Sequence, residues 1–236
     1  MTKFITILSG KGGVGKTTTA INLGLALHQL GVDVVVMDGN LSSPNLSVHL
    51  GTSRFPITIH DVMCRNEPVQ KAIYIHPETG LKIIPADLAI SSMKLIDFDL
   101  LKRNVQDLHL MSDYVIVDGS PGLGRETEKL MNLSDEVIVV TNPDRASIMD
   151  AKRLIEFTKY FNKTIAGLLV SKFEKKDHKL SIEEIEKYLN MPVTTIIPQD
   201  ERFEKSVHEK KPYLHMYPNR QAAKNYLDMA RKIANK

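Results

Sequence analysis

Residues 9–18 read SGKGGVGKTT, and the five residues before them, Phe4–Leu8, read FITIL. Gly10, Gly15, Lys16 and Thr17 satisfy the pattern G-x-x-x-x-G-K-[ST], the spacing of a phosphate-binding loop. Such a loop works only in context. A strand must deliver it and a helix must leave it, because backbone N–H groups and the positive helix end together hold a multiply charged phosphate. Phe4–Leu8 supplies the strand. Thr17–Gln29 supplies the helix: Ala20, Leu23, Gly24 and Leu27 fall on one face, and Gly31 stands where a left-handed residue commonly closes a helix. In this frame Gly10, Gly12, Gly13, Val14 and Gly15 form the cradle. Lys16 reaches the outer phosphates, Thr17 gives its hydroxyl to a divalent cation, and Thr18 stands beside the innermost phosphate.

The two patterns around the loop recur along the chain. Val32–Met37, Leu81–Ile84, Tyr114–Val117, Val137–Val140, Ile165–Val170 and Val193–Ile197 are short runs of β-branched and aliphatic residues. Most are too uniformly apolar for one-sided strands, and strands buried on both faces belong to parallel sheets. Arg145–Tyr160 and Ser181–Leu189 have helical spacing, the latter opening with SIEE, a capping box of Ser181 with Glu184. The alternation predicts an α/β fold, doubly wound, with a mostly parallel sheet flanked by helices. The 236 residues, 42% hydrophobic and 25% charged, suffice for one core and are read as one domain, 1–236. The net charge of +3 is spread along the chain, so affinity for nucleic acid or acidic lipid requires a local patch. The single cysteine, Cys64, excludes an intrachain disulfide and a four-thiolate zinc site. The N-terminal apolar run is too short for a signal peptide, and no stretch approaches the ~18 apolar residues of a membrane span. A cytoplasmic protein is expected.

Lys11 narrows the reading, because it stands one residue after the first glycine, where the loop pattern needs no lysine. Lys11–Thr17, KGGVGKT, resembles the deviant Walker A motif of the MinD/ParA ATPases, and the chain is most similar to archaeal MinD-like proteins. The resemblance implies the P-loop NTPase fold, ATP with Mg²⁺ as ligands, and an ATP-sandwiched homodimer. In that dimer Lys11 would cross the interface and neutralise phosphate charge in the partner's site, a cation supplied in trans.

Val34–Gly51, VVVMDGNLSSPNLSVHLG, is similar to the family's first switch, D-x-D followed by N-L. Asp38, Asn45 and Leu46 match, and Asn40 replaces the second aspartate, which in the family polarises the attacking water. A carboxamide can hold water by hydrogen bonds but cannot take its proton. General-base help is typically worth ~10²–10⁴-fold, so slow or nearly absent hydrolysis is expected. Asn after Gly is also favoured in turns, which leaves a plain turn residue as the other reading of Asn40.

Asp118 closes the run Tyr114–Val117, the strand-end position of a carboxylate that holds the Mg²⁺ hydration shell; the alternative is an aspartate capping a surface turn. The GSPGLG that follows resembles the family's second switch, D-x-P-A-G: Gly122 keeps the spacing near the γ-phosphate, whereas the proline has moved to Pro121. Thr141–Glu156, TNPDRASIMDAKRLIE, is similar to the family's T-x-P-E-x-x-S-x-x-D-A segment. Ser171 and Lys172 fall where the family often frames adenine with asparagine and arginine, and Pro198 and Asp200 match an I-P-x-D turn beside base and ribose. The resemblance runs from Lys3 to about Ile233.

A nucleotide-dependent spatial regulator of cell division or cellular positioning follows, whose ATP-bound dimer recruits a regulatory or cargo protein until hydrolysis resets it. One alternative is a ParA-like DNA-partition ATPase, for which Lys172, Lys175, Lys176 and Lys179 would have to form a patch rather than a solvated loop. The other is a non-hydrolysing scaffold, suggested by Asn40. Gln221–Lys236 carries Ala222, Ala223, Tyr226, Leu227, Ala230 and Ile233 on one face and reads as a last helix packed on the domain, so any membrane association would be peripheral and through a partner. Iron–sulfur carriage needs paired cysteines, which this chain lacks.

Overall fold

The computed structural model describes residues 2–52, 55–89, 101–176 and 179–234. The chain opens with β1 (Lys3–Ser9), α1 (Lys16–Gln29), β2 (Val34–Asp38), α2 (Leu46–Leu50) and α3 (Ile59–Arg65). Next come β3 (Tyr74–Ile75), β4 (Lys82–Ile84), α4 (Leu101–Asn104), β5 (Tyr114–Pro121) and α5 (Arg125–Leu133). It continues with β6 (Glu136–Thr141), α6 (Arg145–Tyr160), β7 (Thr164–Phe173), α7 (Ile182–Leu189) and β8 (Thr195–Pro198). The last helices are α8 (Arg202–His208), α9 (Tyr213–Met216) and α10 (Gln221–Ala234).

One sheet of eight strands runs β3-β4-β2-β5-β1-β6-β7-β8. Every neighbouring pair is parallel except β3 with β4. The chain first builds to one side of β1 and then crosses to the other. The order therefore reverses at β1, and a crevice opens beyond the carboxyl ends of the central strands, where open α/β sheets bind ligands. β1, β2, β5 and β6 are buried along nearly their whole length, which explains their unbroken apolar runs. On one face α1 and α10 cover Ile5, Ile7, Val36 and Ile116. On the other, residues of α3 and α5 pack with Phe4, Met37 and Val117, and α6 and α7 cover Val139 and Leu168. A fully buried aliphatic side chain of this kind contributes ~1.5–3 kcal/mol.

The expected strands are present with shifted ends. β5 continues past Val117 through Asp118 to Pro121, because its ladder with β1 resumes at Ser9↔Pro121 after an irregular step. Asp118 is therefore a strand residue, not the cap of a surface turn. The two-residue edge strand β3 and the short helices α2, α8 and α9 carry too few periodic residues to announce themselves. The apolar face of α10 is buried as expected, with Met229 added, while Leu227 is only partly covered. Among the described residues no helix is long and apolar enough to cross a membrane.

Candidate functional site

The glycine-rich loop leaves β1 at Ser9, whose hydroxyl donates to the Lys11 carbonyl at 2.6 Å. A Cβ on Gly10 would lie 2.4 Å from the Asp150 backbone, so the loop can pass α6 only without a side chain there. Gly15 sits at φ 98°, in the left-handed region that favours glycine, and starts α1 with no side-chain cap. The first-turn N–H groups of α1 thus stay available to an anion.

Lys16 is 8% exposed. Burial lowers its pKa, while the carboxylates of Asp118 and Asp38 pull the other way and favour the ammonium. These two aspartates are register partners on adjacent strands, Asp38↔Asp118, and both are fully buried. Asp38 accepts three backbone bonds, from Asn40 at 3.1 Å, Asn45 at 3.1 Å and Leu46 at 3.0 Å. Burial and the neighbouring Asp118 still raise its pKa well above the carboxylate range, against the pull of those N–H groups. Among the described residues neither oxygen of Asp118 closes a hydrogen bond, although the Thr17 hydroxyl is near enough to act on it. Burial raises its pKa to about 6; the nearby Thr17 hydroxyl and Lys16 ammonium lower it without closing a bond. Two stranded acceptor oxygens beside a threonine hydroxyl suit a hard cation that takes its remaining ligands from water and phosphate. Among the described residues no group of three His, Cys, Asp or Glu side chains gathers to hold a metal by itself.

The loop after β2 folds over Asp38. Within it Asn40 is 6% exposed and donates its carboxamide to the Ser43 carbonyl at 2.6 Å, a carbonyl that also accepts from the Asn45 side chain at 2.7 Å. Asn40 therefore acts as a turn residue while also lining the cleft. Glu126 of α5 accepts from Leu41 N at 2.5 Å and Ser42 N at 3.1 Å, tying this loop to the segment after β5. From the other side buried His60 meets the Leu41 carbonyl at 3.2 Å and accepts from Asp87 N at 3.0 Å. Neither contact was legible in the sequence, since partners 85 and 27 positions apart share no local pattern.

A cleft of about 640 Å³ runs from the loop to α8, walled by Gly12–Thr18, Asn40, Asn45, Ser171, Lys172, Pro198 and Asp200. His49, Phe203, Val207 and Tyr226 also line it, and sequence reasoning named none of these as site residues. Their signal was absent because α2, α8 and α10 meet here only through the fold. Gly10, Lys11, Asp38, Asp118 and Gly122 lie off this wall. Gly122 stays close to the loop, its N–H on the Ser9 carbonyl at 2.9 Å. Asp200 is already engaged by Tyr213 Oη at 2.7 Å and by Arg202 N at 2.9 Å. Ser171 and Lys172 point at loop carbonyls, of Val14 and Gly13 respectively. Lys11 pairs with Asp144 of its own chain at 3.4 Å, and Asp144 caps α6 through Ser147 N at 2.9 Å. Of the four lysines considered as a basic patch, Lys172 is on Gly13, while Lys176 and Lys179 pair with Glu174 at 2.8 and 3.5 Å.

Known proteins match the chain along nearly its whole length. The ParA family model, described as NUBPL iron-transfer P-loop NTPase, matches residues 1–234. An uncharacterized ATP-binding protein of Methanocaldococcus jannaschii is 33% identical over 229 residues, 97% of this chain and 86% of its own. The septum site-determining protein MinD of Thermotoga maritima is 30% identical over 241 residues, 99% of this chain and 88% of its own. The structure of MinD from Pyrococcus horikoshii complexed with Mg-ADP superposes with a TM-score of 0.93 at 28% identity, covering 99% of this chain and 96% of that one. The chain belongs to the ParA/MinD family of P-loop NTPases.

Proposed function

We propose that the chain is a MinD-like ATPase that binds Mg²⁺-ATP at the Gly10–Thr18 loop and uses it to form a homodimer that recruits a regulatory or cargo protein. The observation that carries this reading is the stranded carboxylate of Asp118 beside Thr17 and Lys16, at the foot of an uncapped helix N-terminus. In it Lys16 balances the outer phosphates, Thr17 and Asp118 hold the Mg²⁺ shell, and Gly122 approaches the γ-phosphate. Held by Thr17 and Asp118, Mg²⁺ would supply neutralisation of phosphate charge. Lys11 must leave Asp144 to reach a partner's nucleotide; that ion pair is partly exposed, so its release costs ~1 kcal/mol or less. Dimerisation can readily offset such a cost.

Hydrolysis is proposed to be slow, since the Asn40 carboxamide offers no proton acceptor and is held by the Ser43 carbonyl. Lys172 is turned inward onto the Gly13 carbonyl, and Lys176 and Lys179 share the carboxylate of Glu174, so these lysines do not form an unpaired basic patch, which favours a protein partner over a DNA track. A cytoplasmic location and an indirect hold on the membrane complete the proposal, because the apolar face of α10 is spent on the core. Light scattering tests the dimer: Mg²⁺-ATP should convert monomer to dimer, ADP should not, and Lys11→Ala should bind ATP yet stay monomeric. A Lys11→Ala protein that dimerises normally would refute the role in trans.

A further inference from the structure

β7 pairs with β8 at Val170↔Ile196 and again at Phe173↔Pro198, so two residues of β7, Ser171 and Lys172, oppose one of β8. This is a bulge, a device that re-aims side chains. Lys172 within it has φ 52°, left-handed and uncommon for a residue with a side chain. Both side chains are turned onto the phosphate loop. Lys172 Nζ donates to the Gly13 carbonyl at 2.8 Å, and Ser171 Oγ donates to the carbonyl of Val14, next in sequence. The one proton of this hydroxyl is also within reach of Asn142 Oδ1 at 2.7 Å and of the Thr141 carbonyl at 3.3 Å.

A trans peptide is planar, with its N–H pointing opposite to its C=O. Carbonyls of Gly13 and Val14 drawn toward β7 therefore aim the N–H groups of Val14 and Gly15 away from it. Packing fixes this stretch at Val14, whose side chain is buried in the core, but not at Gly12 or Gly13, where a Cβ would meet nothing within 4 Å. The hydrogen bonds from the bulge add a direct hold on the two carbonyls. We infer that Ser171 and Lys172 are positioning residues of the phosphate cradle, holding two consecutive peptide planes so that their N–H groups face the β-phosphate. They hold the loop, in this account, and do not frame the base. The inference rests on the nucleotide reading above.

The test compares ADP with AMP, because a brace on the cradle matters to the β-phosphate whereas a contact to base or ribose serves both ligands. Affinities of the full chain, Lys172→Met, Lys172→Arg and Ser171→Ala are read by competition against a fluorescent ADP analogue in Mg²⁺, with melting curves confirming folding. Lys172→Met and Ser171→Ala should each lose about tenfold in ADP affinity with AMP affinity unchanged, and Lys172→Arg, which keeps a donor, should recover part of the loss. Equal losses for ADP and AMP, or none, overturn the inference and leave the nucleotide reading standing. A loss in Lys172→Met with none in Ser171→Ala also overturns it, since the effect would then be one of charge and not of peptide orientation. Failure of the unsubstituted protein to bind ADP would remove the nucleotide reading and this inference together.

Discussion

Asp38, the last residue of β2, and Asp118, within β5, are register partners, equally buried, and the backbone treats them in opposite ways. After Asp38 the chain turns back at Gly39 and lays the N–H groups of Asn40, Asn45 and Leu46 on the carboxylate. After Asp118 the strand runs on to Pro121, and Gly122 gives its N–H to the Ser9 carbonyl; among the described residues no backbone N–H is donated to the side chain. One aspartate is a clasp for the switch loop, and the other is held open. A buried acceptor without a partner costs ~1–3 kcal/mol or more, a cost that a bound cation would offset. The same residue type at the same depth thus acquires two different environments from what the next few residues do.

The comparison is broken most severely at Lys16, the cation that both carboxylates face. Lys16→Ala should abolish measurable Mg²⁺-ATP binding in calorimetry, because backbone amides alone would be left to balance the triphosphate. Ordinary affinity in that variant would separate the carboxylate pair from nucleotide binding altogether.

Substitutions at the two aspartates should move stability in opposite directions. Asp38→Ala leaves three N–H groups without an acceptor, two of them buried and that of Asn45 partly buried, and should cost at least about 2 kcal/mol, several degrees in Tm. Asp118→Asn orphans no donor and removes a buried charge. The Asp118 carboxyl has a pKa of about 6 when folded against 3.8 as the ordinary value, so its ionisation on raising the pH through this window removes stability. Without nucleotide at pH 7.5, Asp118→Asn should therefore be more stable than the parent by ~1–3 kcal/mol. This gap should close as the pH falls through about 6 toward 4. Thermal melts across that range read both effects, and a destabilised Asp118→Asn would show that the carboxylate is satisfied after all.

A smaller effect is expected within the clasp. Asn40→Asp would set a carboxylate against the Ser43 carbonyl now 2.6 Å from the amide nitrogen, and repulsion should turn the side chain toward the cleft it already lines. Phosphate release should then rise about tenfold or more, with little change in ATP affinity. Equal turnover in the two proteins would leave Asn40 as a turn residue only.

What could be read in advance follows the distance over which each feature is encoded. The cradle is written within ten residues, Ser9–Thr18, and the apolar run ahead of Asp118 placed that carboxylate on a central strand, although the strand runs on to Pro121 where the run had suggested an end. Partners brought together by topology left no such trace: Lys11 with Asp144 is 133 positions apart, and Lys172 with Gly13 is 159. The role of Ser171 was hidden for a further reason, because a bulge depends on register and not on residue type. Asn40 was legible as a departure from the aspartate pattern, whereas its bond to Ser43 depends on how the loop closes over Asp38.

The account stands most directly on Asp118 as the seat of the metal shell, and a calorimetric titration of ADP with and without Mg²⁺ measures this. The full chain should bind ADP at least about tenfold more tightly in Mg²⁺ than in EDTA. Asp118→Asn should bind as the parent does in EDTA and gain little from Mg²⁺. An Asp118→Asn protein that keeps the full Mg²⁺ enhancement would contradict the assignment.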